Sequence, residues 1–384
     1  MKIFRLQTLR WPSLRWLAVP ILGIIAVVAA LGCPDPKAVD PRFPPGIAGP
    51  VGGNQLPEPD ALPEDLNAPP EGYFFCFWNV ENLFDDRDDD RTKRGDTEYD
   101  KFFASQPKML ERKLDNLVEV LARMNHGKGP DILCLAEVEV NSRAPQLLMQ
   151  AYNKRIGDPK RHLDTILFDD PNGGRDIGCA ILTRLPTEKA RTRLLGRRLR
   201  ILEGHLVVNG HPLVVVASHW SSRISDSAGS TRATYGDVIY GRYRAMATAN
   251  PAVDFLVCGD FNDPPDADSV VKNLRAIGDL NKVKAANREP LLYNLTWPLF
   301  ERGEGTHFYR KWWLFDQIVV SPGLLDERGW SVLDDSVAII REMRGRNGAP
   351  NRFGGPSDKR LLTNRGAADH FPVVCRLRVA EPSR

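Results

Sequence analysis

Cysteine is scarce in this chain and carries no ligand spacing. The six residues Cys33, Cys76, Cys134, Cys179, Cys258 and Cys375 form no CxxC pair and no Cys/His interval suited to zinc, which excludes a zinc module and a dithiol motif. The last five each sit in an apolar, strand-like run and read as small buried hydrophobes. An excess of charge of one sign is also lacking. With 52 Lys and Arg against 49 Asp and Glu, the formal charge is +3, which argues against a basic surface over the whole chain and leaves room only for a local patch. There is no internal repeat. What is present is length and apolar content: 384 residues, 42% of them hydrophobic, enough for a sizeable core in one large or two ordinary domains.

The N-terminus is read as an address. Lys2, Arg5, Arg10 and Arg15 form a positive region without acids, and Leu17 to Leu31 is an apolar run leading to Gly32-Cys33. The run is short for a bilayer span of about 20 residues. Ala30-Leu31-Gly32-Cys33 resembles a bacterial lipoprotein cleavage box, with Leu31 standing where a small residue is usual. Residues 1–33 are therefore expected to be an export signal: a lipoprotein signal, a plain secretory signal or a retained anchor. Residues 34–70, in which roughly two residues in five are Pro or Gly, have the composition of a disordered tether. Residues 71–384 are expected to form the folded domain.

Within that domain, Phe74 to Asn79 reads as an aromatic-rich strand ending in Asn79-Val80-Glu81-Asn82, and a charged loop is expected from Asp85 to Asp100. Interleaved arginines make the Asp85–Arg91 run a solvated loop rather than a cation site. Pro107 opens a helix closed by Asn125-His126-Gly127. The strand Ile132 to Ala136 then ends at Glu137-Val138-Glu139, and a helix follows over Ala144 to Asn153. Strands are predicted at Leu163 to Phe168 and Ile177 to Thr183, and a hairpin at Ile201 to Val208 and Leu213 to Ala217 across Asn209-Gly210. The basic Arg191–Arg200 segment reads as a solvated edge strand or a phosphate-binding patch. Further on come a loop over Ile224 to Asp237, a helix over Val238 to Asn250, a strand over Phe255 to Gly259, a helix over Asp268 to Ile277, and a strand over Trp312 to Val320 interrupted by Phe315-Asp316-Gln317. Arg341 to Arg365 is a basic loop, and Val373 to Val379 a last strand.

Polar residues gather where these apolar strands end. They are Asn79, Glu81, Glu137, His219, Asp260, Asn262, Asp316, Asp369 and His370. Asp260 and Asn262, two apart, are expected on one face of an extended backbone with Phe261 packed the other way. An acid such as Asp316 inside an apolar run demands a partner. Oxygen ligands dominate the set, which suits a hard cation, Mg²⁺ or Mn²⁺, and not zinc.

These segments resemble the endonuclease/exonuclease/phosphatase superfamily. The resemblance is carried, in order, by Trp78-Asn79-Val80-Glu81-Asn82-Leu83-Phe84, Leu135-Ala136-Glu137-Val138-Glu139, Arg175-Asp176-Ile177-Gly178, Ser218-His219-Trp220-Ser221-Ser222-Arg223, Gly259-Asp260-Phe261-Asn262-Asp263, Asp316-Gln317-Ile318 and Ala368-Asp369-His370-Phe371-Pro372. It implies an α/β fold, a four-layered α/β-sandwich of two mixed β-sheets. It further implies Glu137, Asp369, Asn79 and Glu81 around a divalent metal, and Asp260 handling the proton of the attacking or leaving oxygen with Asn262 as its orienting neighbour. His370 with its carboxylate partner Asp316, and His219, would face the phosphate. Ala136 stands where glutamine commonly precedes the metal glutamate, and Gln317 where histidine or tyrosine is common. The implied activity is metal-dependent phosphodiester hydrolysis, exported if the N-terminus is an export signal, on nucleic acid in the leading reading, with Trp220, Arg223, Arg232 and the arginine-rich segments Arg191–Arg200 and Arg341–Arg365 following the phosphate backbone. A phospholipid head group or a phosphomonoester is the alternative substrate, and a binding protein without turnover the alternative class. Asp263 alternates away from the Asp260/Asn262 face and is expected to brace the turn before Pro264.

Overall fold

The computed structural model describes residues 72–381 apart from 287, 288 and 327. The expected signal, 1–33, and tether, 34–70, lie outside the described residues. Among the described residues no helix is long and apolar enough to cross a membrane.

Tyr73–Leu83 lies at the middle of a seven-stranded sheet. It pairs antiparallel with Val373–Val379 and parallel with Ile132–Glu139. Ile177–Thr183 and Thr165–Phe168 extend the sheet beyond Ile132–Glu139, while Trp330–Val332 and Ala338–Ile339 flank Val373–Val379. The second seven-stranded sheet runs Arg193–Leu194, Ile201–Val208, His211–His219, Phe255–Asp260, Asp316–Val320, Leu292–Asn294 and Ala276–Ile277. It too is mixed: His211–His219 is parallel to Phe255–Asp260, which is antiparallel to Asp316–Val320.

Alternation along the strands sorts side chains into layers. Phe75 and Phe77 point into a core shared by the two sheets, with Cys134, Ile181, Val215, Cys258, Ile318 and Cys375. Phe74, Cys76 and Trp78 point the other way, onto the helices Pro107–Gly127 and Ala144–Arg155. On the far side, Phe255 and Val257 meet Tyr235, Ile239 and Tyr243 of the helix Ser230–Ala249. Helices, sheet, sheet and helix give the expected four-layered sandwich. Five cysteines, Cys76, Cys134, Cys179, Cys258 and Cys375, are free and buried.

Local chemistry places the element ends. Pro107 sits in the first helical turn, where its missing N–H is not needed, and Asn125 and His126 leave the helix with φ of 51° and 54°. Asn209 and Gly210, at φ 53° and 81°, make the primed turn that matches strand twist. At Gly259 a Cβ would meet the Ser218 carbonyl oxygen at 2.3 Å, so glycine lets the parallel strands close up one residue before Asp260.

Four segments depart from the sequence reading. Helix begins at Asp96, inside the expected charged loop, and its acidic first turn complements the helix dipole. Ser230–Ala249 starts eight residues before the expected helix: Gly229 enters it at φ 77°, and buried ion pairs of Arg232 hold a turn whose Ser and Thr content reads as loop. Residues 268–277 form a π-turn, Ser269–Asn273, and the short strand Ala276–Ile277, because Leu292–Asn294 offers an open edge to pair. Trp312–Val320 is two strands in different sheets: Lys311–Trp313 pairs with His307–Tyr309, and Asp316–Val320 joins the second large sheet.

Candidate active site at one rim of the sandwich

The ends of strands from both sheets meet through Asn79. Its Nδ2 donates to Glu137 Oε1 at 3.3 Å on the neighbouring strand and to Asp260 Oδ2 at 3.0 Å on the other sheet. Its Oδ1 accepts the Glu81 N–H at 3.1 Å. That last bond helps to hold Glu81 and Asn82 at φ 52° and 55°, where the pairing of the first two strands shifts register. Strand alternation therefore stops at Asn79, and Glu81, two residues on, does not share its strand face. The Glu81 carboxylate instead accepts from Arg352 Nε at 3.0 Å, the Phe353 N–H at 2.7 Å and the Gly354 N–H at 3.1 Å. Burial, then the charge of Asp369, pushes its pKa up to about 7 against the pull of Lys113 and Arg352.

Glu137 Oε2 accepts the Asn82 N–H at 3.0 Å, and the Oδ1 of Asn82 has no hydrogen-bond partner among the described residues. Burial and the charge of Asp369 raise the Glu137 pKa. Burial raises Asp369 as well, but His370, His307, Arg352 and Lys113 more than offset it, and Asp369 sits below the ordinary carboxylate value. Carboxylates that load one another with charge, an orphaned carboxamide oxygen and the absence of thiols among them make a donor set that fits a hard divalent cation.

Asp260 ends its strand fully enclosed. Oδ1 accepts the Asn262 N–H at 2.9 Å, closing an Asx turn that puts Asn262 at φ 51°. Asp260 and Asn262 thus share a turn, not an extended face. Asn262 Nδ2 donates to the Trp220 carbonyl at 3.2 Å. Phe261 packs inward as expected, its ring 4.4 Å from that of Trp220. Burial and the charge of Asp316 push the Asp260 pKa up against the pull of His370. Asp263 braces the turn: it accepts from Arg223 Nη1 at 2.9 Å, Arg232 Nε at 2.8 Å and Ser269 Oγ at 2.6 Å.

The two histidines are poised oppositely. Asp316 Oδ2 lies 2.6 Å from His370 Nδ1 and also accepts the Thr306 hydroxyl. Burial works against the His370 cation, but Asp316, Asp260 and Asp369 override it, and the pKa lies well above the ordinary histidine value. His219 Nε2 lies 3.7 Å from Asp260 and 3.8 Å from Glu137. Burial, then Arg200, His370 and Arg175, holds His219 well below that value, so it is neutral. Neighbouring titratable groups driven apart in this way divide donor from acceptor work.

Several site residues carry no role in the sequence reading. His307 Nδ1 donates to the Asp369 carbonyl oxygen at 3.0 Å, and its ring centroid is 4.5 Å from that of His370. Thr306 anchors Asp316, Arg352 anchors Glu81, and Arg175 lends positive charge to Glu137 and His219. Arg175-Asp176 is the one of these with a sequence signal, as a quoted motif. Two assignments are overturned. Trp220 is fully buried between Phe261 and Tyr235, and Arg232 is buried in ion pairs with Asp226 and Asp263, so neither can follow a phosphate backbone. The Asp85–Arg91 run is the expected loop, exposed over residues 86–90, with its ends tied down: Asp85 is buried, and Arg91 bridges Asp89 and the buried Glu139 at 3.0 Å each.

The sequence profile of the Endonuclease/Exonuclease/phosphatase family matches residues 74–379. Among solved structures, the chain is similar to truncated Caenorhabditis elegans TDP2, with 15% identity and a TM-score of 0.47 over 80% of this chain and 97% of that one. It is similar to the human Nocturnin catalytic domain with bound sulfate, at 15% identity and a TM-score of 0.42 over 80% and 95% of the two chains. It is also similar to a mannosyl-6-phosphatase of Bacteroides thetaiotaomicron, at 14% identity and a TM-score of 0.44 over 79% and 99%. No curated protein matches by sequence.

Proposed function

The chain belongs to the endonuclease/exonuclease/phosphatase family and is a phosphoric ester hydrolase, and from that premise we propose that it is a Mg²⁺- or Mn²⁺-dependent phosphodiesterase acting on nucleic acid. The observation that carries the reading is the convergence of Asp260, Asn79 and Glu137 from two sheets beside the Asp316–His370 pair.

Glu137, Asp369 and Asn79 would hold the cation, with Asn82 as an added oxygen donor. Glu81, whose oxygens are committed to residues 352–354, supports that group from behind. A bound divalent cation supplies positive charge to the phosphoryl and leaving oxygens. The chain's own residues do the rest. Cationic His370 donates from Nε2 to a non-bridging phosphate oxygen, with Asp316 fixing Nδ1 and the ring plane. Asp260, its pKa raised by burial, takes the proton of the attacking water, and Asn79 and Asn262 fix its oxygens. Neutral His219 contributes a ring without adding charge. Positioning and electrostatics carry most of the rate, as phosphoryl transfer requires.

The nucleic-acid reading rests on the hairpin His307–Tyr309/Lys311–Trp313, which bridges His370 through His307. Lys311 Nζ lies 4.1 Å from the centre of the Trp313 ring, Arg223 lies over the same ring, Arg310 over Tyr309, and Arg341 over Trp312. Interleaved rings and cations suit bases and phosphates together. Phe308, 39% exposed, and Ile224, 67% exposed, favour a second reading, a phospholipid head group presented at a membrane. The charged-then-apolar N-terminus extends the proposal to an exported, membrane-tethered enzyme, tested by loss of lipid labelling in Cys33→Ala.

One panel decides between substrates: the full-length chain with Mg²⁺, Mn²⁺ or chelator, offered plasmid DNA, single-stranded DNA, RNA, sphingomyelin and bis-p-nitrophenyl phosphate. Metal-dependent cleavage of nucleic acid is expected. Turnover of sphingomyelin alone moves the assignment to lipid, and turnover in chelator ends the cation-assisted reading.

A further inference from the structure

Lys113 is a lysine with no exposed surface, placed on the inner face of the helix Pro107–Gly127. Its Nζ donates to the carbonyl oxygens of Val80 at 2.5 Å, Glu81 at 3.1 Å and Ala367 at 2.7 Å. Three donors meet three acceptors, so the ammonium is saturated, and it also lies 5.0 Å from the centre of the Phe353 ring. Enclosing a charge so fully is unfavourable without such compensation.

The acceptors belong to the two segments that carry the cation donors. Val80 and Glu81 follow Asn79 where the sheet register shifts, Glu81 being the first left-handed residue, and Ala367 lies two residues before Asp369. Neither stretch is held by regular ladder bonds at these positions. One turn along the same helix, Asn116 Nδ2 donates to the carbonyls of Arg365 at 2.9 Å and Gly366 at 2.7 Å. Lys113 and Asn116 thus stand side by side as i and i+3, and Lys113 alone reaches both segments.

We propose that Lys113 is a positioning residue that clamps the 79–82 segment to the 366–369 segment and thereby sets the spacing of the donors Asn79, Glu137 and Asp369 for a divalent cation. The inference rests on the cation-assisted reading given above. It makes a prediction of unusual sign. A buried ammonium near a cation site repels the ion, so if Lys113 acted only by charge, removing it would tighten divalent binding. If it positions the donors, removing it weakens binding.

The test is direct Mn²⁺ binding to the full-length chain, followed by electron paramagnetic resonance of the free ion, for the parent, Lys113→Met and Asn116→Ala. Leu117→Ala, a core truncation on the same helix, serves as a control for stability loss. Lys113→Met is expected to bind Mn²⁺ at least tenfold more weakly, with KM at saturating metal changed less than threefold. Asn116→Ala opens only the 365–366 contacts and is expected to weaken binding about threefold, which carries the test if Lys113→Met does not fold. Leu117→Ala should lower the melting temperature and leave Mn²⁺ affinity as in the parent. Equal or tighter binding by a folded Lys113→Met, or parental binding by Asn116→Ala where Lys113→Met fails to fold, overturns the clamp. So does an equal loss in Leu117→Ala. A parent chain that binds no Mn²⁺ overturns the cation reading and the clamp with it.

Discussion

Asp316 and His370 are 54 positions apart in the chain and 2.6 Å apart at the site. The pairing explains both a buried acid inside an apolar run and a histidine that keeps its charge despite enclosure.

Asp316→Asn keeps the shape and removes the charge. Because His370 then loses the neighbour that holds it cationic and oriented, kcat is expected to fall roughly 100-fold or more, with little change in KM. Steady-state rates on bis-p-nitrophenyl phosphate check this. A raised KM at parental kcat would instead assign the pair to binding.

Asp260→Asn should separate activity from stability. The variant side chain can still accept the Asn262 N–H, and its amide nitrogen then faces Asn79 Nδ2 in place of an accepting oxygen, which offsets the relief of a carboxylate whose pKa is raised by burial. Turnover is expected to drop on the order of 100- to 10,000-fold, with the melting temperature within a few degrees of the parent. Parental turnover would remove Asp260 from proton transfer.

Divalent ions should stabilise the fold as well as the reaction. Glu137 is loaded by the negative charge of Asp369, so a bound cation relieves repulsion present without it. At about 100 times its dissociation constant, Mg²⁺ or Mn²⁺ is expected to add about 2.7 kcal/mol, seen as a melting shift of a few degrees that chelator reverses. Glu137→Gln should lose most of that shift.

A buried charge cluster outside the candidate site predicts acid sensitivity. Glu203 accepts from Arg242 Nε at 2.6 Å, Arg242 Nη2 at 2.8 Å and His205 Nε2 at 2.8 Å. Burial opposes its charge, but these bonds override it and lower the pKa from 4.5 to about 2. The folded state therefore binds fewer protons than the unfolded state between those values. The stabilisation, about 3 kcal/mol, is fully present above the unfolded pKa and is lost as pH falls through 4.5 toward 2. Urea unfolding of the parent should show that slope, and Glu203→Gln should flatten it.

How much of this was legible in the chain differs from residue to residue. Phe74–Asn79, Ile132–Ala136 and Phe255–Gly259 announce themselves as strands, because burial on both faces demands unbroken apolar runs. Each ends in a polar residue that cannot continue into the core, so Asn79, Glu137 and Asp260 stand out at once. Helix Ser230–Ala249 was partly hidden, since Ser, Thr and Gly read as loop until the Arg232–Asp263 ion pair fixes the first turn.

The sequence by itself determined the layered class, the strand-end position of the polar set and, through ordered motifs, the family. These follow from local periodicity and residue type, which need no partner. Tertiary structure decided which residues touch. It turned Glu81 toward Arg352, enclosed Trp220 and Arg232, brought His307 beside His370, and left His219 neutral while keeping His370 cationic. Those outcomes depend on left-handed turns, on burial and on charges supplied from distant segments, which no spacing along the chain encodes.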